Sequence, residues 1–293
     1  MTTKTIKTTL TCALLGLSML CAPLAHAGID GSSSKIETAI ASGSVDAIVA
    51  ELERSENIPQ RGAYDAVLKL IDHPSARVRE AVGWWVGRRG LRQTVINTAA
   101  LRLAAQDPIA AANVLDALRG MRDITTLDLV AAYMAHPLDE TSGIAGLRCI
   151  SAIGAPQGLD TIKVSLGSSL AGVRAEALRT ARGLRAPVGQ KVLTTGASFV
   201  PLLSDADEGV RREAALTLGF LGQSGLNSDA TTSGLNALVT ALGQDSSAKV
   251  RRAAAWSIGE MGNIAGLDAL KAAEKDKDST VRSIATAAAG RIH

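Results

Sequence analysis

Three stretches near the C-terminus align without gaps: residues 205–219 read DADEGVRREAALTLG, residues 245–259 read DSSAKVRRAAAWSIG, and residues 276–290 read DKDSTVRSIATAAAG. In each stretch an Asp lies six residues before an Arg that directly follows a Val. An Ala lies three residues after that Arg, and a Gly lies eight residues after it. Four residue types in register three times indicate an internal repeat, and a period of about 20–50 residues is typical of stacked repeat architectures.

The pattern continues toward the N-terminus with decreasing fidelity. Asp72, Arg79 and Gly87 repeat it with one inserted residue, and Arg174 repeats it without the Asp. Between these units, two further segments keep the rhythm of helix, turn and helix but lack the Val-Arg pair. We therefore predict about seven units over residues 60–292.

Each unit reads as a pair of helices. Val210, Ala214 and Leu218 recur at positions i, i+4 and i+8, which is one face of a helix, and the preceding helix of each unit has the same periodicity. We expect the motif Asp to accept hydrogen bonds from the first N–H groups of the second helix, and the motif Gly to end that helix in the left-handed conformation. Since a two-helix unit cannot bury its apolar stripe alone, neighbouring units must cover one another.

The composition also favours helices. Hydrophobic residues make up 46% of the chain, but aromatic residues make up only 2%. The core must therefore be built from Ala, Leu, Val and Ile, and the abundant Ala suits closely packed helices because it loses no rotamer entropy. A β-sandwich would need more aromatic and β-branched residues. The sequence predicts an all-α stack of helix pairs.

This motif resembles that of HEAT repeats, in particular the short subclass named after phycobilisome lyases. The spacings between Val173, Val210, Val250 and Val281 are 37, 40 and 31 residues, which bracket the short subclass and the longer general repeat. The resemblance implies an α-solenoid (an α-α superhelix) of about seven repeats. It also implies that the motif Asp and Arg residues pair within the stack as structural residues: Asp72, Arg79, Arg174, Asp205, Arg211, Asp245, Arg251, Asp276 and Arg282.

The first 27 residues are organised like a signal peptide. Lys4 and Lys7 give a positive start, an apolar stretch follows, and Ala25-His26-Ala27 supplies a small-x-small cleavage pattern. We predict cleavage after Ala27 and a periplasmic or secreted protein. No later run is long and uncharged enough for the roughly 20 apolar residues that a membrane span needs, so the mature chain is not expected to span a membrane.

The rest of the chain is predicted to form one solenoid over residues 35–293, preceded by a flexible Gly/Ser-rich leader at 28–34. Residues 35–55 have a helical pattern without the motif and are expected to form a capping helix at the N-terminal end. Residues 223–234 read QSGLNSDATTSG, and this small and polar composition predicts an exposed loop.

Charge and cysteine content argue against a nucleic-acid-binding protein and against a fold that depends on disulfides. Two of the 31 Lys and Arg residues lie in the signal peptide, so 29 remain against 28 Asp and Glu. This near balance gives no reason to expect a nucleic-acid partner. Cys12 and Cys21 leave with the signal peptide, and Cys149 alone cannot form an internal disulfide.

The sequence contains no evident catalytic or metal-binding constellation. His73 and His136 each precede a Pro at a predicted turn, and no His has a second ligand at metal-binding spacing. The HEAT-type deoxyhypusine hydroxylases bind iron through His-Glu pairs, whereas no His of this chain is followed by Glu. Cys149 lies in an apolar run typical of a core thiol. We predict no enzyme activity, no catalytic or metal-ligating residues and no cofactor.

Candidate binding residues come from the position five residues after the motif Arg, which points away from the buried stripe of the second helix. This position and its neighbours supply Trp84, Trp85, Arg88, Arg89, Arg179, Leu216 and Trp256. Exposed Trp and Arg side chains are frequent anchors of protein interfaces. The alternative is that these Trp residues fill gaps between Ala-rich helices.

The sequence thus favours an exported scaffold or adaptor that binds a protein or peptide in a concave groove lined by the second helices. The alternative that the resemblance suggests is a lyase-like or oxidoreductase-like protein that handles a tetrapyrrole or a metal. DNA binding of the kind known from HEAT-type glycosylases conflicts with export and with the near-neutral charge.

Overall fold

The computed structural model describes residues 33–183, 199–223 and 228–292. Within these ranges the chain is entirely helical and contains no strand. Its α-helices are α1 Ser34–Ala41, α2 Val45–Arg54, α3 Tyr64–Lys69, α4 Ala76–Gly87, α5 Arg92–Ala104, α6 Pro108–Met121, α7 Leu127–Met134, α8 Glu140–Ile153, α9 Leu159–Ser165, α10 Ala171–Gly183, α11 Glu208–Gln223, α12 Ser228–Gln244, α13 Ala248–Met261, α14 Leu267–Ala273 and α15 Ser279–Ala289. Short 3₁₀ helices occupy Arg61–Ala63, Leu70–Asp72, Ile124–Thr126, Pro156–Gly158, Val200–Ser204 and Ile264–Gly266.

The helices form an α-solenoid, which confirms the predicted fold. After α1 and α2, seven units each end in a long second helix: α4, α6, α8, α10, α11, α13 and α15. The first element of each unit is shorter in most cases and often begins with a 3₁₀ turn; in the fifth unit it includes Val200–Ser204. Each second helix packs against the second helices before and after it, so the stack is continuous.

The core consists of the predicted small aliphatic stripes. Val210, Ala214 and Leu218 on α11 are buried, as is the corresponding stripe of α13, formed by Val250, Ala254 and Ile258. Units without the Val-Arg pair bury equivalent residues, for example Leu115 and Leu118 on α6. Because the same face is buried in every unit, one apolar core runs along the stack.

The second helices form the tighter of the two layers. They pack closely on one another, whereas successive first helices share few contacts. The closest approach joins α4 and α6: a Cβ atom added to Gly83 would lie 1.7 Å from the carbonyl oxygen of Ala117, and one added to Gly120 would lie 1.9 Å from that of Glu80. No side chain fits between these backbones, so glycine is required at both positions.

Two of the four motif glycines do not end their second helix, and none adopts the predicted left-handed conformation. Gly219 lies inside α11 and Gly259 lies inside α13, and Gly290 caps α15 with a right-handed φ of −66°. A Cβ on Gly219 would lie 2.5 Å from the Cβ of Ser257, so this glycine lets α11 and α13 approach one another. The left-handed residues that end second helices are instead Arg122, Gly154 and Gly262.

The motif Arg and Asp residues form a ladder between units. Arg174 donates to both carboxylate oxygens of Asp205 at 2.8 Å, and Arg251 pairs with Asp276 in the same way at 2.8 and 2.9 Å. Arg211 and Asp245 form the rung between these two. Each of these arginines also donates to the backbone carbonyls five and six residues before it. One guanidinium therefore links the turn of its own unit to the turn of the next unit.

The motif Asp residues therefore do not cap the second helix. Asp205, Asp245 and Asp276 accept a hydrogen bond from the N–H two residues later and belong to the turn. The caps follow them: Asp278, for example, accepts from the N–H groups of Thr280 and Val281. The acidic turn residue is thus used for the ladder, because a neighbouring residue satisfies the helix N-terminus.

The ladder is altered at both ends of the stack. Arg79 pairs with Asp116 at 2.7 Å, whereas Asp72 pairs with Arg102 on α5. The residue that corresponds to Asp205 in the next unit is Ala105, which has no carboxylate, so Arg79 reaches Asp116 instead. At the other end, Arg282 donates only to the carbonyls of its own turn among the described residues.

Three further predictions concern the remaining segments. Residues 35–55 hold the two helices α1 and α2 instead of one capping helix, because the chain turns at Gly43 with a φ of +65°. The predicted loop is wrong at Gln223, which ends α11, and from Ser228 onward, where α12 has already begun. Extending a helix anchored by buried Leu235 and Leu238 costs little per residue. Residues 224–227, the signal peptide and residues 28–32 of the leader lie outside the described residues.

Candidate functional site: the second-helix face

The second-helix face is the surface formed by side chains that α4, α6, α8, α10, α11 and α13 turn away from the core. A cavity of about 510 Å³ lies at its N-terminal end. It is lined by Val49, Glu53, Glu56, Arg77, Glu80, Ala81, Trp84, Gly120 and Arg122. The lining thus combines apolar and aromatic side chains with three carboxylates and two arginines.

Trp84 forms part of the wall of this cavity. Its side chain is half-buried, and the guanidinium of Arg88 stacks over the indole at 4.2 Å from the ring centroid. Arg88 also pairs with Glu56 at 2.5 Å, so the end of α4 is fastened to the segment that follows α2. Both predicted binding residues therefore lie at the surface, with one face of the indole covered by Arg88.

Trp85 is wrong as a binding candidate because it lies in the core, and the neighbouring Arg89 is half-buried. Trp85 is 0% exposed, its Nε1 donates to Ser55 Oγ at 2.9 Å, and Tyr64 packs against it edge to face. Arg89 lies over the Trp85 ring and donates to the backbone carbonyls of residues 55, 56 and 58. Adjacent helix residues point about 100° apart, so Trp84 and Trp85 cannot both face solvent here.

Large apolar side chains lie at the C-terminal end of the second-helix face. Trp256 on α13 is 37% exposed, and Leu216 on the neighbouring α11 is half-buried. Phe220, which the sequence analysis missed, is 40% exposed. It lies four residues after Leu216 and hence on the same side of α11, so the helical period could have identified it.

The middle of the second-helix face is rich in arginine. Arg179 pairs with Glu176 at 2.8 Å and contacts Glu213 at 3.4 Å. It lies beside a second cavity, of about 360 Å³, which is lined by Glu80, Arg119, Arg122, Arg148, Ser151, Ala152, Glu176, Arg179 and Thr180. Glu80 and Arg122 line both cavities, so the two are neighbours on one surface. Apart from Arg179, these arginines were not among the predicted binding residues.

The residues with potential for chemistry occupy structural positions. Cys149 is fully buried, and its burial raises the pKa of the thiol to about 12, so it remains protonated and unreactive at neutral pH. The Nδ1 atom of His73 accepts a hydrogen bond from the N–H of Ser75 and stabilises the turn before α4. Over residues 33–183, 199–223 and 228–292, no group of three or more His, Cys, Asp or Glu side chains is placed to hold a metal ion.

Residues 196–290 match the family of HEAT repeats. These residues include α11 to α15, where the Asp–Arg ladder is regular. The match is to HEAT repeats in general, and the resemblance to the phycobilisome lyase-like subclass stays a prediction. No curated protein matches the chain at a significant level.

Several solved structures are similar at low sequence identity. Human deoxyhypusine hydroxylase in complex with glycerol is 18% identical over 88% of this chain and 97% of that one, with a TM-score of 0.37. An engineered protein is 16% identical over 89% of this chain and 81% of that one, with a TM-score of 0.48. A designed armadillo repeat protein in complex with the peptide (KR)4 is 18% identical over 89% and 92%, with a TM-score of 0.33. Similarities at these identities and TM-scores do not indicate where this chain has a binding site.

None of the described helices has the length and the apolar character needed to cross a membrane.

Proposed function

We propose that the protein is a non-enzymatic scaffold that binds a segment of another polypeptide along the second-helix face. The observation that carries this proposal is the exposure of Phe220 and Trp256, with the half-buried Trp84, on second helices of a chain in which only 2% of residues are aromatic. Large side chains that combine area with few rotatable bonds anchor many protein interfaces. Arg88 and Arg179 supply polar contacts beside them.

The packing of the helices supports a concave surface. Because second helices pack more closely than first helices, the stack is expected to bend toward the second-helix face. The two neighbouring cavities, which share Glu80 and Arg122, are consistent with a groove that runs across several units. An extended polypeptide fits such a surface, since each unit contacts a few residues of the bound chain.

Site-specific photocrosslinking tests this function in the native host. A benzoylphenylalanine residue at position 216 or 256 should crosslink to a polypeptide partner, because both positions lie on the second-helix face. Matched controls place the same residue at Leu101 or Val164, which are 75% and 59% exposed on first helices. Equal yields from both pairs of positions would contradict binding at the second-helix face.

Replacement of the anchors gives a second measurement on the same partner. Trp256→Ala should weaken binding by about 2 kcal/mol if Trp256 is an interface anchor, with the helical circular dichroism signal unchanged. Leu101→Ala, on a first helix, is the matched surface control. Partner recovery that is unaffected by Trp256→Ala would remove this residue from the site.

We also propose that the protein acts outside the cytoplasm, on the evidence of the N-terminal pattern described above. Intact mass and N-terminal sequencing of protein from the periplasmic or secreted fraction should give a chain that begins at Gly28. A chain that keeps residues 1–27 and stays in the cytoplasmic fraction would contradict export, and would leave the proposal for the second-helix face untouched.

A further inference from the structure

Arginines occupy the second-helix face across four consecutive second helices. This arginine row consists of Arg119 and Arg122 on and at the end of α6, Arg148 on α8, Arg179 on α10 and Arg212 on α11. Four of these side chains lie beside one cavity of about 360 Å³. Arg212 continues the row, because Arg179 and Arg212 both contact the same oxygen, Oε1 of Glu213.

Two of the carboxylates in this region lie beneath the arginines. Glu176 has a side-chain exposure of 8% and Glu213 one of 3%, whereas Arg148 and Arg179 expose 52% and 44%. Glu213 is contacted by Arg179, Arg182 and Arg212, and Glu176 by Arg148 and Arg179. Solvent therefore meets the guanidinium groups, since the carboxylates that orient them are covered.

The positive charge of the row exceeds the negative charge that it contacts. Four arginines of the row, together with Arg182, share three carboxylates, those of Glu80, Glu176 and Glu213. Arg122 forms no ion pair among the described residues, although it lines both cavities. Each guanidinium has five N–H donors, so several donors remain for a ligand that carries carboxylates.

We propose that the arginine row binds an acidic segment of an extended polypeptide. This inference rests on the proposed function and specifies the chemistry of the partner. Four helices at spacings of about 8–10 Å span roughly 24–30 Å, which about eight or nine extended residues would cover. Carboxylates at intervals along such a segment would face successive arginines.

The surroundings of the row favour a polypeptide over a nucleic acid. Glu53 and Glu56 lie beside the cavity at one end, and the exposed apolar side chains of Phe220 and Trp256 lie toward the other. A uniform phosphate backbone would be repelled by the carboxylates at the first end, and at the second it would find one arginine, Arg252, among apolar side chains. A polypeptide can vary its side chains along its length and so match acidic, basic and apolar surfaces in turn.

Arg122 allows the charge to be removed without loss of the fold. Its φ of 52° is left-handed, a conformation that glycine adopts without steric cost, so Arg122→Gly should leave stability unchanged or increase it. Arg148→Gln is a second variant, because Arg179 still pairs with Glu176. The control is Lys163→Gln, which removes an exposed cation from the first helix α9.

Fluorescence anisotropy with defined probes tests the proposal on the purified protein. The probe is a fluorescein-labelled dodecapeptide of alternating Glu and Gly; the comparison probes are the corresponding Lys-Gly peptide and a single-stranded oligothymidylate of equal negative charge. We expect the Glu-Gly peptide to bind most tightly. Arg122→Gly and Arg148→Gln should each weaken it about two- to fivefold, with Lys163→Gln unchanged. Higher salt should weaken it as well.

The outcomes separate this inference from the proposed function. Tighter binding of the oligothymidylate, lost in Arg122→Gly, would make the row a nucleic-acid site and overturn the proposal. Equal binding of the Glu-Gly and Lys-Gly peptides, or binding that neither variant changes, would also overturn it. If photocrosslinking at positions 216 and 256 still captured a partner, the scaffold function would stand and only the acidic character of the segment would be wrong.

Discussion

Successive units are joined differently in the two halves of the described stack. In residues 199–292, ion pairs connect successive units, with Arg211 bound to Asp245 and Arg251 bound to Asp276. In residues 33–183, α4 and α6 approach so closely that only glycine fits at positions 83 and 120. Both joints contain a buried Arg–Asp pair, since Arg79 pairs with Asp116, but the approach of α4 and α6 is the closer one, because there backbone carbonyl oxygens occupy the place of a Cβ atom.

This difference explains how the stack continues through units that lack the motif. The units that end in α6 and α8 have no Val-Arg pair, yet Leu115 and Leu147 are fully buried there. Asp107 and Asp139 cap these two helices directly, without an acidic turn residue before them. The apolar stripe is therefore the shared requirement, and the ladder is one of two ways to fix the distance between units.

The largest expected effect comes from breaking one rung of the ladder. Arg251 is 4% exposed and Asp276 is 11% exposed, so Arg251→Gln would leave a poorly solvated carboxylate without its cation. We expect a loss of about 3–5 kcal/mol in the free energy of unfolding, measured by urea denaturation and circular dichroism. The matched control is Arg102→Gln, which breaks the more exposed pair with Asp72 and should cost less than about 1 kcal/mol. Equal losses would mean that burial does not distinguish the two pairs.

An intermediate effect should come from the close approach of α4 and α6. In Gly83→Ala the new Cβ would meet the Ala117 carbonyl oxygen, and a backbone atom cannot move aside without separating the helices. A loss of about 1–3 kcal/mol is expected from such overpacking. In the control Gly243→Ala, nothing lies within 4 Å of the new Cβ on α12, and the helix should gain about 0.5–1 kcal/mol. A gain at both positions would show that α4 and α6 separate readily.

The features that could be predicted from the sequence follow from helical periodicity. The stripe Val210, Ala214 and Leu218 repeats at intervals that only a helix places on one face, and each unit must bury it against its neighbours. Periodicity fixes which residues share a face, so Phe220 could also have been found from Leu216.

The features that could not be predicted depend on contacts between units. The Asp–Arg spacing does not reveal that Arg79 reaches Asp116, because the sequence does not give the lateral distance between α4 and α6. The role of Gly219 depends likewise on the distance between α11 and α13. Trp84 and Trp85 are the same type of residue at adjacent positions. Which of them is buried depends on how α4 is rotated toward Ser55 and Tyr64.

The smallest effect is the part of the ladder's contribution that acid removes by pH 3, and it sharpens the comparison because it should act mainly on the ladder. The hydrogen bond from Arg174 lowers the pKa of Asp205, and that from Arg251 lowers the pKa of Asp276. A pKa lowered in the folded state stabilises the protein above the unfolded value of about 3.9, and this stability is lost as the pH falls toward the folded pKa. The double variant Asp205→Asn/Asp276→Asn, the ladder variant, should therefore be less stable than the wild type at pH 7. This difference in the free energy of unfolding should become smaller toward pH 3.

Asp72 provides the matched control for the acid prediction. Arg102 lowers the pKa of Asp72 as well, but this carboxylate is 57% exposed and hence screened by solvent. The free energy of unfolding is measured with urea at pH 7, 5 and 3. The difference from the wild type should be smaller for Asp72→Asn than for the ladder variant, and it should change less with pH. If the stability difference between the ladder variant and the wild type stayed constant over this pH range, the carboxylates would act through shape and not through charge. The two halves of the stack would then differ only in how closely their helices approach.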